Sequence, residues 1–437
     1  MNLEPITIGL LGLVALLFLI FMGVHISVAL STVGIVGMWM IFGFNRALTM
    51  SASAAFGKIS SFSNTAIPFF ILMGMLCSSL GASSGMYNSL KRFVGRIPGG
   101  LGIATVLSSA AFGTLNGSGV VTASVFTKAS VPSMVDAGYD KEVAYGVVCG
   151  SANLGQLIPP SVIAILMGAM TNMSIGTLLI AIITPGVMII LANSAYLFVL
   201  AKLRPDKLPL CQERYTFKEK ILGLKELIPV AISVAIIVGG MSSGIFSSTE
   251  SGAIGCIVFL VYAVVKRIPF KDILAGFTDA VKSLSMIFIL MVSAQIFANF
   301  LTVSGVAAAM TNVLVSNNVP GWMFLILTAV ILLILGCFMD SSGMMALTVP
   351  ILFPVSQAMG IEPLQYCLVS IVAMLLGAIT PPVGLVCFTV SGIAGDDLPL
   401  SRIFKGAAPY IAVIAAVIIL LAAFPGLSTF LPGIMNV

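Results

Sequence analysis

The sequence predicts an all-α, polytopic membrane protein built from two inverted-topology repeats, and three observations carry that expectation. The composition is 59% hydrophobic and only 8% charged, with a mean hydropathy of +1.16, so hydrocarbon is the preferred solvent for most of the chain. Two proline pairs, Pro159 with Pro160 and Pro381 with Pro382, interrupt long apolar segments 222 residues apart. The glycine and polar residues around them recur at nearly the same offset.

The elements follow in order. A chain of 437 residues has room for about ten to a dozen helical crossings at roughly 20 apolar residues each. The first apolar stretch, Ile6 to Met22, lacks a basic n-region and a small-residue cleavage site, so it reads as a retained span rather than a signal peptide. Crossings are expected near 6–22, 24–43, 64–82, 143–170 and 175–201, then near 226–243, 245–265, 283–305, 364–394 and 404–424. Segments 46–62 and 267–280 carry scattered charges and too few apolar residues to cross, and are expected to lie along the interfaces as amphipathic helices.

The remaining apolar segments are short and flank two polar runs, Asn116-Gly117-Ser118-Gly119 and Asp340-Ser341-Ser342-Gly343. Each reads as a helical hairpin, over about 101–135 and 321–357, that dips to the middle of the bilayer and returns to its own side. The first would enter from the cytoplasm and the second from outside.

The repeat sets the domain organisation. At an offset of 222, Pro132 matches Pro354, Gly138 matches Gly360 and Gly155 matches Gly377, while the two polar runs match at 224. The halves are expected over 1–203 and 226–437, with broken helices near 143–170 and 364–394 and a linker over 204–225. The stretch from Lys202 to Lys225 is rich in lysine and arginine, which places it in the cytoplasm by the positive-inside rule. Lys91, Arg92 and Arg96 correspond to the uncharged Ser316, Asn317 and Asn318, whereas Arg46 and Lys58 correspond to the richer Lys266, Arg267, Lys271 and Lys282. The bias changes sign between the halves, as expected if the second is inserted upside down with both termini outside.

The proline pairs point to chemistry. A proline within a helix removes a donor and displaces the carbonyl four residues earlier, so the pairs are expected to release the carbonyls of Gly155, Gln156, Gly377 and Ala378. Lipid cannot satisfy such groups. Paired breaks in corresponding halves mark the ion and substrate site of a secondary transporter, where helix ends of opposite partial charge meet. Carbonyls and hydroxyls suit sodium, and two candidate sites follow: Asn116, Gly117, Ser118 and Gly119 with Gly155 and Ile158, and Asp340, Ser341, Ser342 and Gly343 with Gly377 and Thr380. An anionic substrate between the tips would meet Ser118, Thr122, Asp340 and Ser342. A carboxylate at membrane depth costs roughly 2.5–3.5 kcal/mol on insertion scales, so Asp340 reads as functional. Glu250, next to Ser247, reads as a structural contact, and Lys128 as a side chain that snorkels to the interface.

Other classes are excluded on composition. There is no phosphate-binding loop, no His/Cys/Asp metal cluster and no exposed nucleophile motif, so an enzyme is not expected. His25 is the single histidine, and the seven cysteines have no metal-type spacing and read as packing residues. The basic residues sit at span ends rather than in a patch, and nucleic acid is not an expected partner. A gradient-driven carrier remains.

The segments VPSMVDAGYDKEVAYGVVCGSANLGQLIPPS, GIFSSTESGA, LGCFMDSSGMMALTVPILFPV and GAITPPVGLVCFTVSGIAG, in that order after the Asn-Gly-Ser-Gly tip, resemble the large (M or DctM-type) membrane subunit of tripartite ATP-independent periplasmic (TRAP) transporters over essentially the whole chain. The resemblance implies an elevator-type carrier with scaffold and transport domains, sodium coupling, a small Q-type membrane subunit and a P-type periplasmic binding protein. That binding protein would deliver C4-dicarboxylates, keto acids, sialic acids or other carboxylates and sulfonates. It further implies the bacterial inner membrane, and sodium sites on the first tip with Gly155, Ile158 and Pro160 and on the second with Gly377, Thr380 and Pro382. The family's acidic residue in the second hairpin corresponds to Asp340. Near Thr122, where some members carry an acidic residue, this chain has none. A stand-alone sodium/dicarboxylate symporter of similar fold is the alternative, and a membrane scaffold without transport a third reading.

Overall fold

The computed structural model describes residues 4–79, 83–211 and 215–435, and among them every regular element is a helix. Gln212, Glu213 and Arg214 of the expected linker lie outside the described residues, as does the side chain of Cys77. The first half contains α1 (Pro5–Phe21), α2 (Ile26–Phe42), α3 (Phe44–Ser60), α4 (Ala66–Ser79), α5 (Ser83–Val94), α6 (Gly100–Asn116), α7 (Gly119–Ala129), α8 (Val131–Asp136), α9 (Lys141–Ser151), α10 (Val162–Thr171), α11 (Ile175–Ala181) and α12 (Ile183–Leu203). After α13 (Phe217–Gly223) the second half contains α14 (Ile228–Val234), a π-turn at Ala235–Gly239, α15 (Gly240–Ser242), α16 (Ser248–Val265), α17 (Phe270–Ser304), α18 (Val306–Ser316), α19 (Gly321–Gly336), α20 (Ser341–Ala358), α21 (Pro363–Gly377), α22 (Leu385–Ala394), α23 (Leu400–Ala423) and α24 (Gly426–Met435).

Four helical segments of the described residues are long and apolar enough to cross a membrane alone: Ile175–Leu203, Ser248–Val265, Phe270–Ser304 and Leu400–Ala423. A fifth candidate is the pair Lys141–Leu157 and Val162–Thr171, bent by 49° at the first proline pair. Shorter apolar helices of 10–17 residues make up much of the rest. Large apolar side chains face outward along α1, where Val14, Phe18 and Phe21 are 66%, 61% and 84% exposed. Water would not tolerate so continuous an apolar face; acyl chains would, as expected of an integral membrane protein.

One expected element differs. Residues 267–280 do not form a separate interfacial helix: Arg267 to Pro269 are the turn before α17, and 270–280 are its first turns, in a helix that runs 35 residues without interruption. At 1.5 Å per residue it is about 52 Å long, well beyond the hydrocarbon core. No proline lies between Phe270 and Ser304 and the helix runs through Gly276 without a break, while Gly305 at φ 74° ends it. In the first half the chain turns at Ser61, with a short turn over Phe62–Thr65 between α3 and α4. The two halves thus part company here.

Elsewhere the packing is reciprocal. Helix α2 packs on α17 and α16 on α4, so the second and third spans of each half clasp those of the other. Past the first break, α10 lies on α20 of the second hairpin, and past the second break α22 lies on α7 of the first. Each half also builds its own hairpin-to-break contact through a glycine pair. A Cβ at Gly155 would come within 2.1 Å of the Gly113 carbonyl carbon, and one at Gly377 within 2.8 Å of the Gly336 Cα. Only side chains without a Cβ allow backbones so close.

Glu250 has the structural role expected of it. Its carboxylate accepts from the Ser247 amide and hydroxyl, both at 2.8 Å, and Ser247 caps α16 in return. Lys128 is exposed on α7.

Candidate functional site: two hairpin tips and two helix breaks around one cavity

Each tip is shaped by an acceptor side chain that folds back onto its own backbone. Helix α6 ends at Asn116, and Gly117 takes the left-handed conformation at φ 65°. Asn116 Oδ1 accepts from the Ser118 amide at 2.7 Å, while its Nδ2 donates to Phe112 O at 2.9 Å and Thr122 Oγ1 at 3.0 Å. In the second tip Asp340 caps α20, its carboxylate accepting from the Ser342 amide at 2.9 Å and the Gly343 amide at 3.4 Å. Asn116 and Asp340 are equivalent positions of the repeat and make the same two-residue turn. The change from amide to carboxylate places a negative charge at the N-terminus of α20, where the helix dipole favours it.

Both breaks lie beside the tips. In the first, α9 gives way to a short turn over Leu154–Leu157, and Ser161 caps α10 by accepting from the Ala164 amide at 3.2 Å. In the second, α21 stops at Gly377 and α22 starts after Gly384, which is left-handed at φ 51°. Both Pro-Pro peptide bonds are cis.

The carbonyls expected to be free are recaptured locally. Gly155 O accepts from the Ile158 amide at 3.3 Å, Gln156 O from the Ser161 hydroxyl, Gly377 O from the Thr380 amide at 3.1 Å and Ala378 O from the Val386 amide at 3.0 Å. Each keeps a second lone pair. The carbonyl that the second break does strand is that of Leu375, because the Ile379 amide four residues on bonds Leu376 O instead. Asn153 Nδ2, from the first half, supplies the missing donor at 3.1 Å. Asn153 and Leu375 are 222 residues apart, the same offset as the two proline pairs.

A cavity of about 320 Å³ opens where these four segments meet. Asn116, Gly117, Ser118 and Gly119 form one part of its wall and Asp340, Ser341 and Ser342 another. Ala378, Leu385 and Val386 reach it from the second break, Val162 and Ile163 from α10, and Ser283, Met286, Ile287 and Leu290 from α17. Its volume is at the lower end of small-ligand pockets. Among the described residues Asp340 is the one ionisable residue on the wall. A void of about 10 Å³, the size of one water-like sphere, lies behind the first tip between Asn116, Gly117 and Pro160.

Several expected contacts lie off the wall. Thr122 is fully buried and turned into the tip, its hydroxyl donating to Ser118 O at 2.9 Å; it braces the turn rather than facing a ligand. Gly155 and Gly377 are occupied by their glycine partners, and Gly343 by Ile26, whose Cδ1 stands 2.4 Å from a Cβ built there. Thr380 donates to Leu376 O at 2.7 Å. Ile158 is half-buried within the first break and Pro382 exposed beside the second, neither of them lining the cavity.

Among the wall residues that the sequence reading did not assign to the site are Asn153 and Gln156, the latter expected to act only through its carbonyl. The buried Gln156 Oε1 accepts no hydrogen bond among the described groups, which leaves an acceptor beside the first tip for a cation or a donor to use. Two amides three residues apart in an otherwise apolar helix, next to a proline pair, were the available signal. No cluster of three or more His, Cys, Asp or Glu occurs among the described residues; the polar part of the wall offers amide, hydroxyl and carboxylate oxygens from Asn116, Ser118, Gln156, Asp340, Ser341 and Ser342, donors of the kind that suit hard cations.

Comparison with known proteins gives a consistent result. The family profile described as "Tripartite ATP-independent periplasmic transporter, DctM component" matches residues 13–427. The C4-dicarboxylate TRAP transporter large permease protein DctM of Pseudomonas aeruginosa is 31% identical over 84% of this chain and 86% of its own. Its Vibrio cholerae counterpart is 30% identical over 97% and 98%, and the V. cholerae sialic acid large permease SiaM is 28% identical over 95% and 96%. Among solved structures, the YdaH transporter of Alcanivorax borkumensis aligns with a TM-score of 0.61 at 16% identity over 88% of this chain and 89% of that one. At that identity the likeness speaks for the fold alone.

Proposed function

The chain belongs to the DctM component family of tripartite ATP-independent periplasmic transporters, and from that premise we propose that it imports an organic acid anion with sodium by an elevator movement. Its relatives are named as permeases for C4-dicarboxylates and sialic acid, and an anion of that class is the substrate proposed here. A periplasmic binding protein would deliver it, and a small membrane subunit on a separate chain would complete the permease. Some relatives are named as single permease proteins of which the match covers about 60%.

The observation that carries the reading is the convergence of both tips and both breaks on one cavity whose single charge is Asp340. An organic anion in that cavity faces a fixed negative charge. At 4–8 Å and an effective dielectric near 20 the repulsion is about 2–4 kcal/mol. Sodium ions bound first, at Asn116 to Gly119 with the Gln156 acceptor and at Asp340 to Ser342, remove that repulsion and leave the α7 and α20 N-termini to receive the carboxylate. Coupling then needs no separate device: the anion binds well only when the cations are present.

The repeat division supports a moving and a fixed part. Hairpins α6–α7 and α19–α20, with both broken helices, form the transport domain, and α1 to α4 with α16 to α18 form the scaffold. Residues 1–203 and 226–437 are the two repeats, in the inner membrane with both termini periplasmic. Reconstituted vesicles test the proposal. Uptake should require an added binding protein, an added small subunit and an inward sodium gradient. Uptake by this chain alone would favour a self-sufficient symporter, and uptake indifferent to sodium would overturn the coupling.

A further inference from the structure

A second polar cavity, of about 170 Å³, is stacked on the central one along the same three helices. Helix α10 reaches the central cavity at Val162 and Ile163 and the second at Met170 and Thr171; α17 reaches them at Leu290 and then at Gln295 and Thr302; α20 at Ser341 and Ser342 and then at Pro350 and Pro354. On α10 and α20 a step of at least seven residues separates the two, about 10 Å or more at 1.5 Å each. On α17 the two linings adjoin, at Leu290 and Met291.

The cavity holds a cation without a counter-ion. Lys58 is 7% exposed, and its Nζ donates to Asn172 Oδ1 at 3.1 Å, a neutral acceptor. No carboxylate lines the cavity, and no ion pair to Lys58 occurs among the described residues. Buried lysines are ordinarily paired, because an uncompensated ammonium out of water is strongly unfavourable. Burial accordingly pushes this ammonium's pKa down. Asn172 is itself held in the left-handed conformation, φ 57°, at the end of α10, and Thr171, Gln295 and Thr302 add polar residues to the same cavity wall. The wall is thus opposite in sign to that of the central cavity, where Asp340 is the charge.

We propose that the Lys58 cavity is a second anion site, at which a small organic carboxylate pauses on its way to or from the central cavity. The inference rests on the transport reading above and deepens it. A carboxylate there supplies the ammonium's missing counter-ion, and Asn172 and Gln295 offer amide donors to its second oxygen. The space is about half that of the central cavity, enough for the carboxylate end of a substrate or for a compact dicarboxylate.

The test labels Thr302→Cys in vesicles holding the full chain, with the unsubstituted chain as background. Two methanethiosulfonate reagents of similar size are compared, one bearing a sulfonate and one a trimethylammonium. The sulfonate reagent should react tenfold faster or more, the order produced when one sign of charge lines a low-dielectric cleft. Lys58→Gln should abolish the preference and Lys58→Arg keep it. Succinate should slow labelling while the neutral diamide succinamide does not, in phosphatidylcholine and phosphatidylglycerol vesicles alike. Equal rates for the two reagents in the Thr302→Cys chain, or no protection by succinate, would overturn the site. Protection that appears only with the anionic lipid would assign the site to a headgroup phosphate and overturn the substrate role. Labelling needs no sodium gradient and no partner subunit, so its failure is separable from a failure of transport.

Discussion

Replacing Gly155 by alanine tests the idea that each hairpin is held against its break by backbone contact. A Cβ at Gly155 would sit 2.1–2.3 Å from Gly113 C, Gly113 Cα and Thr114 N, all backbone atoms that cannot rotate away. At Gly377 the nearest atoms are Gly336 Cα at 2.8 Å and the carbonyls of Leu332 and Leu333 at 3.1 Å. At Gly57, inside α3, no atom lies within 4 Å. Overpacking costs about 1–3 kcal/mol, occasionally more, so Gly155→Ala should lose about 3 kcal/mol or more and Gly377→Ala about 1–2. Gly57→Ala should gain about 0.5–1 kcal/mol from helix propensity alone. None of the three has a positive φ, so the steric contact is what separates them. Melting temperatures of the purified chains in one detergent should rank Gly57→Ala above the parent, then Gly377→Ala, then Gly155→Ala. A Gly155→Ala chain that melts with the parent and transports normally would refute the close packing of tip and break.

Asp340→Asn should fold as well as the parent, because Asn116 makes the equivalent turn with an amide, yet lose sodium-dependent uptake; unchanged uptake would remove the charge from the mechanism. Asn153→Ala leaves Leu375 O without its donor and should destabilise by about 1–3 kcal/mol, measured by melting. At the loop before α23, Lys141 and then Tyr145 donate to Asp397 and hold its carboxyl below the ordinary 3.8. A depressed carboxylate stabilises above its unfolded pKa, so the contribution should be present above about pH 4 and fade as pH falls through the lowered value. The side chain is about 39% exposed, which keeps the effect below about 1 kcal/mol. Melting of the parent against Asp397→Asn should converge in acid, and a gap that persists there would contradict the assignment.

The register of the repeat was legible because its marks are chemically unambiguous. Proline pairs cannot sit inside regular helices, and the Asn116 and Asp340 runs stand out against apolar flanks. From these the hairpins, the breaks and their meeting in one cavity all followed. What stayed hidden depends on where chains cross. The stranded carbonyl proved to be Leu375 rather than any of the four expected, since local turns recapture those and only the fold brings Asn153 across to the fifth. Thr122 looked like a ligand contact, but a threonine four residues past Ser118 can also bond back to the preceding turn. The length of α17 was missed because charge density at 267–280 argues for an interface while saying nothing about whether the helix stops there.

Sodium binding to the purified chain is the most direct test of the central claim that the two tips and two breaks form a cation-binding cavity. Melting should be followed in sodium against potassium at equal ionic strength, since a ligand bound only by the folded form stabilises it by about 2.7 kcal/mol at a hundred times its dissociation constant. The account predicts a saturable rise with sodium, absent with potassium and diminished by Asp340→Asn. Superimposable melting curves in the two salts would contradict it.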